Sequence, residues 1–496
     1  MLNDLPRQLA SIDVEAVLPR LSPISARANA GGRYDMFASQ SALDDYFDSA
    51  QRKDKLAADV MLIGHSDGLV RLIIDDILEV SLPQDDDRKA LDSAREHLLY
   101  TSHPQSPHHA LLVASVDPAD VGDATKGYNR LSLSLFDIPL LSSGGSHLHL
   151  IVSRTAQIRD LCNYISYSIL CAKADWSTHT TLPSRFMENI NETLEEKGEG
   201  TLEQNLFHLA MTGSFTPTML EWLKDELAER VRDTISLPTR VEYTDESKGH
   251  KRWDHAITTF HNDLSKLLQT NLLPALERAI LVTTNLRGLA TYYENSSQFD
   301  VSPTYFTSII SALSMLQLLV HEAIIILAEE QRQFRAFSKW LRHVIDLSAA
   351  DPGSVSARDM AEREAGVLDY PRILAYLAGG LVDSKLQPIV FAQPPDDALS
   401  DFNQVDLVKA IHQARDGAAK RTELLSLHTL SSHLHEVCMV AHGQILKWRN
   451  SATPSIEEVE LEPNAVTAVY DMRTMRTAVS LTTHSHYQPP SHSSSH

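Results

Sequence analysis

A serine in a five-residue motif is the feature of the sequence closest to catalytic chemistry. The segment Gly64–Gly68 reads G-H-S-D-G and fits the G-x-S-x-G nucleophile elbow, with Ser66 as the nucleophile. An elbow needs a strand before the serine and a helix after it. Here Leu69–Ile74 favours a strand, and Asp67 with Gly68 suits the tight turn of a β-hairpin. A hairpin is the preferred interpretation, and a serine hydrolase using Ser66 is the alternative.

A metal site is the second kind of chemistry that the sequence could carry. On a helix, His435, Cys438 and His442 would share one face, and imidazole with thiolate is a zinc-binding set. A structural site needs a fourth ligand, and no second cysteine is near, so a core cysteine flanked by histidines is preferred. His321 opens an H-E-x-x-H pattern, but Ile325 stands where the second histidine belongs. We therefore predict no metal ligand.

The sequence also lacks the common nucleotide-binding motifs. No P-loop and no strand-linked G-x-G-x-x-G occurs, so we predict no cofactor, no catalytic residue and no enzyme activity.

The composition of the chain narrows the class of molecule that it could bind. A net charge of −21 disfavours nucleic acid and anionic lipid, which leaves a protein partner. Three cysteines indicate buried thiols in a reducing compartment. The uncharged run Val301–His321 could span a membrane by length, but its polar face indicates an amphipathic helix outside the membrane.

The longest predicted element is a helix over Ser302–Leu347. Its apolar residues recur at alternating steps of three and four, which places them on one face. The stripe comprises Phe306, Ile309, Leu313, Leu316, Val320, Ala323, Leu327, Glu330, Phe334, Phe337, Leu341 and Val344, with Glu330 out of character. Such a helix would be roughly 70 Å long and could bury its stripe only against other long helices. We predict an extended bundle that sets distances between other components.

The remaining pattern predicts a mixed all-β plus all-α fold. Strands are predicted at Val60–Ile63, Leu69–Ile74, Ala110–Val116 and Leu131–Phe136. Further long helices are predicted over Ile158–Leu194 and Trp253–Leu289, with a short helical pair between them that ends in Met219–Arg230, and Ser302–Leu347 completes four principal helices. We divide the chain into a β-rich region 1–147, a helical bundle 148–390, a region of connector, helices and returning hairpin 391–481, and a disordered tail 482–496.

The end of the longest helix carries a recognisable motif. Gln333–Leu341 resembles the F-x-A-F-x-x-W-L signature of the last long helix in the family of anaphase-promoting complex subunit 4. Phe334, Phe337 and Leu341 continue the stripe and are predicted to lie in the bundle core. Trp340 is at the edge of the stripe, where it could serve the bundle or contact a partner subunit.

Two further segments are similar to the same family. Phe207–Leu223 looks like its short helix, turn and following helix, and Thr216 with Pro217 fits the start of that second helix. The segment Asp4–Pro23 and the hairpin around Asp67 are similar to late blades of its β-propeller.

The resemblance implies partial WD40-type propeller blades with a long four-helix bundle inserted between them. It implies a non-catalytic scaffold subunit of the anaphase-promoting complex (cyclosome), a multisubunit ubiquitin ligase that controls mitotic progression and cell division. Implied partners are the large scaffold subunit 1, subunit 5 and the tetratricopeptide-repeat subunits. The implied location is the nucleus, and also the cytoplasm. A generic helical tethering protein is the other alternative to this function.

The chain departs from the family in two ways. The β segments are too few to close a ring, so we expect a gene model truncated at its N-terminus and near its C-terminus. The segment Val231–Lys248 carries a proline and an acidic cluster where a short turn would suffice. It is interpreted as a surface loop, with translated intron as the alternative.

Overall fold

The structure is a computed structural model of the chain, and part of the chain is described. The described residues are 18–24, 35–48, 60–64, 70–74, 78–81, 94–102, 108–116, 130–137, 139–224, 250–294, 298–349, 368–381, 384–391, 408–409, 426–451, 455–461, 466–471 and 476–481. The predicted insertion Val231–Lys248, the predicted tail from residue 482 and Ser66 lie outside these ranges.

Strands in the described ranges form three antiparallel sheets. β1 (Val60–Gly64), β2 (Val70–Ile74) and β3 (Leu78–Ser81) make the first, β4 (Ala94–Ser102), β5 (His108–Val116), β6 (Arg130–Asp137) and β7 (Ser455–Leu461) the second, and β8 (Val466–Asp471) with β9 (Arg476–Leu481) the third. β7 follows the helical region yet pairs with β6, with Val459 opposite Leu133. The second sheet therefore joins distant parts of the chain.

The prediction of a mixed fold with partial WD40-type propeller blades is wrong. The structure is predominantly helical, and its strands occupy small sheets of two to four strands. A propeller places several four-stranded sheets around a central channel, and the described residues contain a single four-stranded sheet. Each predicted strand does overlap an observed one. Alternating apolar residues specify a strand locally, but the closure of a ring depends on pairings between distant segments that local patterns do not encode.

The helices in the described ranges vary in length from 5 to 58 residues. They are α1 (Gln40–Asp48), α2 (Pro139–Glu196), α3 (Leu202–Thr212), α4 (His250–Lys266), α5 (Leu273–Tyr292), α6 (Pro303–Ala349), α7 (Tyr370–Ala375), α8 (Gln387–Phe391) and α9 (Leu427–Ser451), with a further helical segment at 217–224. The π-helical turn Leu267–Leu272 joins α4 to α5, and another, Tyr376–Gly380, follows α7.

Two clusters of buried apolar side chains hold the helices together. The first, here the main core, joins α2, α5, α6 and α9 through residues such as Ile165, Leu276, Leu313 and Leu434. The second, here the end core, joins the C-terminal parts of α2 and α6 to α3, α4, α7 and segment 217–224. The predicted bundle ended at residue 390, whereas in the structure α9 packs against α2 and α6 as the fourth long helix of the main core.

Helix α6 is the axis of both cores, and its predicted stripe is confirmed. Every residue of that stripe, from Phe306 to Val344, is buried. In the part of the chain that the structure describes, Pro303–Ser348 is the one helix long and apolar enough to cross a membrane, and 56% of its most apolar window is buried inside the protein. Polar residues such as Thr307 and Ser308 lie on its exposed side. The apolar face is therefore the packing face of a bundle helix.

Glu330 interrupts the stripe because it anchors another segment. Its carboxylate accepts hydrogen bonds from the Ser384 hydroxyl, at 3.1 and 2.9 Å to its two oxygens, and from the Lys385 backbone N–H at 2.7 Å. These donors begin the segment that leads into α8. A buried charge thus gains the donors that it needs away from water.

An extended N-terminal segment, residues 18–24, is bound to the bundle by buried polar side chains. The carbonyl of Ser22 accepts a hydrogen bond of 2.8 Å from Asn271 Nδ2 and one of 2.5 Å from the Tyr164 hydroxyl. The Arg278 guanidinium donates to the carbonyl of Pro19. Asn271 lies in the π-helical turn between α4 and α5. Such π-helical turns within helices occur frequently at functional sites. Burial raises the pKa of Tyr164 to about 12, so this hydroxyl stays a donor.

The tip of the bundle has the predicted helix, turn and helix. Thr201 caps α3 by accepting a hydrogen bond from the Gln204 backbone N–H. Gly213 ends α3 with φ of 68°, a left-handed conformation that favours glycine. Pro217 then opens the next helical segment, where its missing N–H and fixed φ are tolerated.

Candidate interaction surface

The signature segment Gln333–Leu341 lies in the C-terminal half of α6 and divides into two faces. Phe334, Phe337, Trp340 and Leu341 are 2%, 1%, 3% and 0% exposed and belong to the end core. The structure therefore brings all four together inside the bundle. Trp340, which the sequence placed at the edge of the stripe, is as enclosed as its neighbours in this chain. A contact of any of them with a partner subunit stays a prediction.

Aromatic side chains from three elements surround Phe337. Its ring centroid lies 5.4 Å from that of Trp253 on α4 and 4.8 Å from that of Tyr376 after α7, and Trp340 is 5.9 Å away. Burial, with a smaller effect of the Glu330 charge, raises the pKa of Tyr376 well above its ordinary value. The spacing F-x-x-F-x-x-W-L thus locks α6 to α4 and α7.

The opposite face of the same segment lines an open groove between α4 and α6. Its volume is about 370 Å³, and its lining residues are Asp254 and Thr258 from α4 with Arg335, Ser338, Lys339, Arg342, His343 and Asp346 from α6. The apolar periodicity of the motif does not indicate these residues, because those on α6 lie between apolar positions. The signal was present, since Arg335, Lys339 and Arg342 recur at steps of four and three and so share one helix face.

A hydrogen-bonded cluster fixes the floor of this basic groove. Asp254 accepts a hydrogen bond from the Ser338 hydroxyl on one oxygen, and its other oxygen lies 2.6 Å from the Arg342 guanidinium. Ser338 is buried. The carboxylate of Asp254 is therefore already occupied by two donors. It orients Arg342 across the groove and offsets that charge.

His261 lies on α4 close to both faces. Its ring is 5.9 Å from that of Phe334, and its Nδ1 is buried without a hydrogen-bond partner among the described residues. Burial, helped by the positive charge of Arg335, lowers the pKa of His261 to about 4. The side chain is thus a neutral core residue at physiological pH.

The other candidate chemistry has no matching geometry in the described residues. β1 leads to an antiparallel strand, with Gly64 opposite Val70, so no helix follows the G-x-S-x-G motif and the hairpin is confirmed. In the described ranges, no group of three or more His, Cys, Asp or Glu side chains could hold a metal ion. Cys438, on α9, instead lies with its sulfur 3.8 Å from that of Cys162 on α2.

Comparison with known proteins places the basic groove within a matched region. A family model described as anaphase-promoting complex, cyclosome, subunit 4 matches residues 132–234 and 244–351. The protein named anaphase-promoting complex subunit 4 in Schizosaccharomyces pombe is 19% identical over 292 residues, 57% of this chain and 37% of that protein. Those of the same name in Pongo abelii and Homo sapiens are each 20% identical over 219 residues, 44% of this chain and 24% of each protein. The chain thus spans well under half the length of these relatives.

Proposed function

Because the chain belongs to the family of anaphase-promoting complex subunit 4, we propose that it is a non-catalytic scaffold subunit of the anaphase-promoting complex, a multisubunit ubiquitin ligase that controls mitotic progression. The proposal rests on which residues the family model matches. Residues 132–234 and 244–351 take in α2 to α6, which include the two longest helices of the bundle, α2 and α6.

The dimensions of these helices suit a spacer. α2 has 58 residues and α6 has 47, so each is about 70 to 90 Å long at 1.5 Å per residue. Two cores lie along α6, so bending it would require both to repack. A stiff body of this length can hold other subunits at fixed separations.

Specific partners and location follow from the same proposal. We expect the chain to contact the large scaffold subunit 1, subunit 5 and the tetratricopeptide-repeat subunits, and to occur in the nucleus and the cytoplasm. A protein partner agrees with the net charge of −21, which opposes binding to nucleic acid or anionic lipid.

Affinity purification from cells of the source organism tests the proposal. The tagged full chain should recover the other subunits of the complex in stoichiometric amounts, whereas the tag alone should not. Recovery of a different assembly, such as a vesicle tether, would contradict it. If a fluorophosphonate labels the chain and the Ser66→Ala variant is not labelled, the serine hydrolase is supported instead.

A further inference from the structure

The basic groove contrasts with the charge of the whole chain. The protein carries a net charge of −21, yet the lining of this groove has three cations, Arg335, Lys339 and Arg342, with His343, against two carboxylates, Asp254 and Asp346. The concentration of positive charge here requires a separate explanation.

Internal pairing accounts for part of this charge. Asp254 is held by Ser338 and Arg342, so that carboxylate and one cation offset each other. Arg335 and Lys339 remain, one turn apart and both exposed. Neither of them forms an ion pair with a carboxylate in the described parts of the chain, although Arg335 acts electrostatically on His261. Two exposed cations therefore remain in the lining of the groove, which also contains the carboxylate of Asp346.

We propose that the basic groove binds a carboxylate-rich segment of a partner subunit. This inference rests on the proposed function, because it names the chemistry of one contact of the scaffold. Arg335 and Lys339 pair with the carboxylates of the bound segment, next to Arg342, which Asp254 holds in place. The buried aromatic face of the same motif holds these cations in place, since Phe334 and Phe337 fix the rotation of α6.

Size and charge favour a short peptide over other anions. A groove of about 370 Å³ accommodates a few side chains, whereas a nucleic acid backbone needs a broad basic stripe. The remainder of this acidic chain would also repel an extended polyanion. A local acidic segment can pair with Arg335 and Lys339 without extending over the rest of this acidic chain.

Direct binding to the purified full chain is the first test. Fluorescence anisotropy should show that a fluorescein-labelled oligoglutamate peptide binds, that an oligoglutamine peptide does not, and that affinity falls as salt rises. The double variant Arg335→Glu, Lys339→Glu should lose affinity by at least about tenfold. The control Arg185→Glu, Lys224→Glu makes the same change of net charge at exposed residues outside the groove and should bind normally.

Equal binding of the two peptides, or normal binding by the groove variant, overturns the proposal. Circular dichroism melts confirm that each variant is folded. The neutral variant Arg335→Gln, Lys339→Gln should have an intermediate affinity if charge is the cause.

Carbodiimide cross-linking in the purified assembly identifies the occupant. This reagent joins an amine to a nearby carboxylate, so Lys339 should be linked to an aspartate or glutamate of a co-purified subunit. Links only to carboxylates of this chain, or of a second copy of it, overturn the assignment to a partner. If the wild-type chain recovers no other subunit, the proposed function fails, while the peptide assay still decides whether the groove binds carboxylates.

Discussion

At the scale of single residues, Phe337 is the side chain on which the end core most depends. It contacts Trp253, Trp340 and Tyr376 from three parts of the chain. We predict that Phe337→Ala lowers the free energy of unfolding by roughly 3 to 5 kcal/mol, because the cavity cannot be refilled by three large rings. Urea unfolding of the full chain measures this. Phe207→Ala is the matched control, since Phe207 is 45% exposed and its removal should cost little.

His261 makes the stability of the chain depend on pH. Its folded-state pKa of about 4 is below its ordinary value of 6.5, so the unfolded chain takes up a proton first. The contribution of His261 to the free energy of unfolding is therefore complete above about pH 6.5, and it is lost as the pH falls from 6.5 towards 4. We expect a loss of roughly 3 kcal/mol over this interval.

Urea midpoints measured from pH 7 to pH 4 test this expectation. His261→Phe, which places a ring of similar shape that cannot be protonated beside Phe334, should flatten that part of the profile. An unchanged slope in the variant would assign the pH dependence to other groups.

At the scale of elements, Glu330 couples α6 to the segment before α8. We predict that Glu330→Ala destabilises the protein by roughly 1 to 3 kcal/mol, since the Lys385 backbone N–H and the Ser384 hydroxyl lose a charged acceptor. Hydrogen exchange at Ile389 and Val390 should become faster. Glu329→Ala is the control, because that side chain pairs on the surface with Arg332 and accepts nothing from the α8 segment. Equal exchange in both variants would contradict the coupling.

The contact between Cys162 and Cys438 permits a covalent test of how α2 and α9 pack. Their sulfurs are 3.8 Å apart, so a disulfide requires them to approach by roughly 2 Å. We predict that diamide, which accepts the two electrons and two protons of the thiols, joins Cys162 to Cys438 and leaves the buried Cys171 as a thiol. Peptide mapping under non-reducing conditions identifies the pair. A link that involves Cys171 would show that the register of these helices is wrong.

Sequence patterns predicted individual elements better than their assembly. The apolar stripe from Phe306 to Val344 correctly predicted the buried face of α6, because helical periodicity is a local property of the sequence. The pairing of β6 with β7 and the return of α9 to α2 join segments far apart in the chain, and such contacts leave no local pattern. The basic groove was missed for a different reason. Its cations alternate with the aromatic residues of the motif, and the stronger apolar signal obscured them.

At the scale of the whole molecule, the bundle depends on a helix from the C-terminal part of the chain. The buried residues Leu430, Leu434, Ile445 and Trp448 of α9 cover α2 and α6. We predict that a chain shortened to residues 1–425 aggregates, whereas one shortened to 1–451 keeps its main core and stays in solution. Size-exclusion chromatography with light scattering, followed by thermal melts, compares the two. A soluble chain 1–425 with a cooperative melt would show that α9 is dispensable.

The late position of α9 also has a consequence during synthesis. Ribosomes add about 5 to 20 residues per second, so about 100 residues separating the end of α6 from the end of α9 take roughly 5 to 20 s to appear. During that interval the parts of α2 and α6 that α9 later buries have no cover, although α5 already packs against both helices. We expect molecular chaperones that recognise exposed apolar surface to bind this nascent chain until translation has passed residue 451.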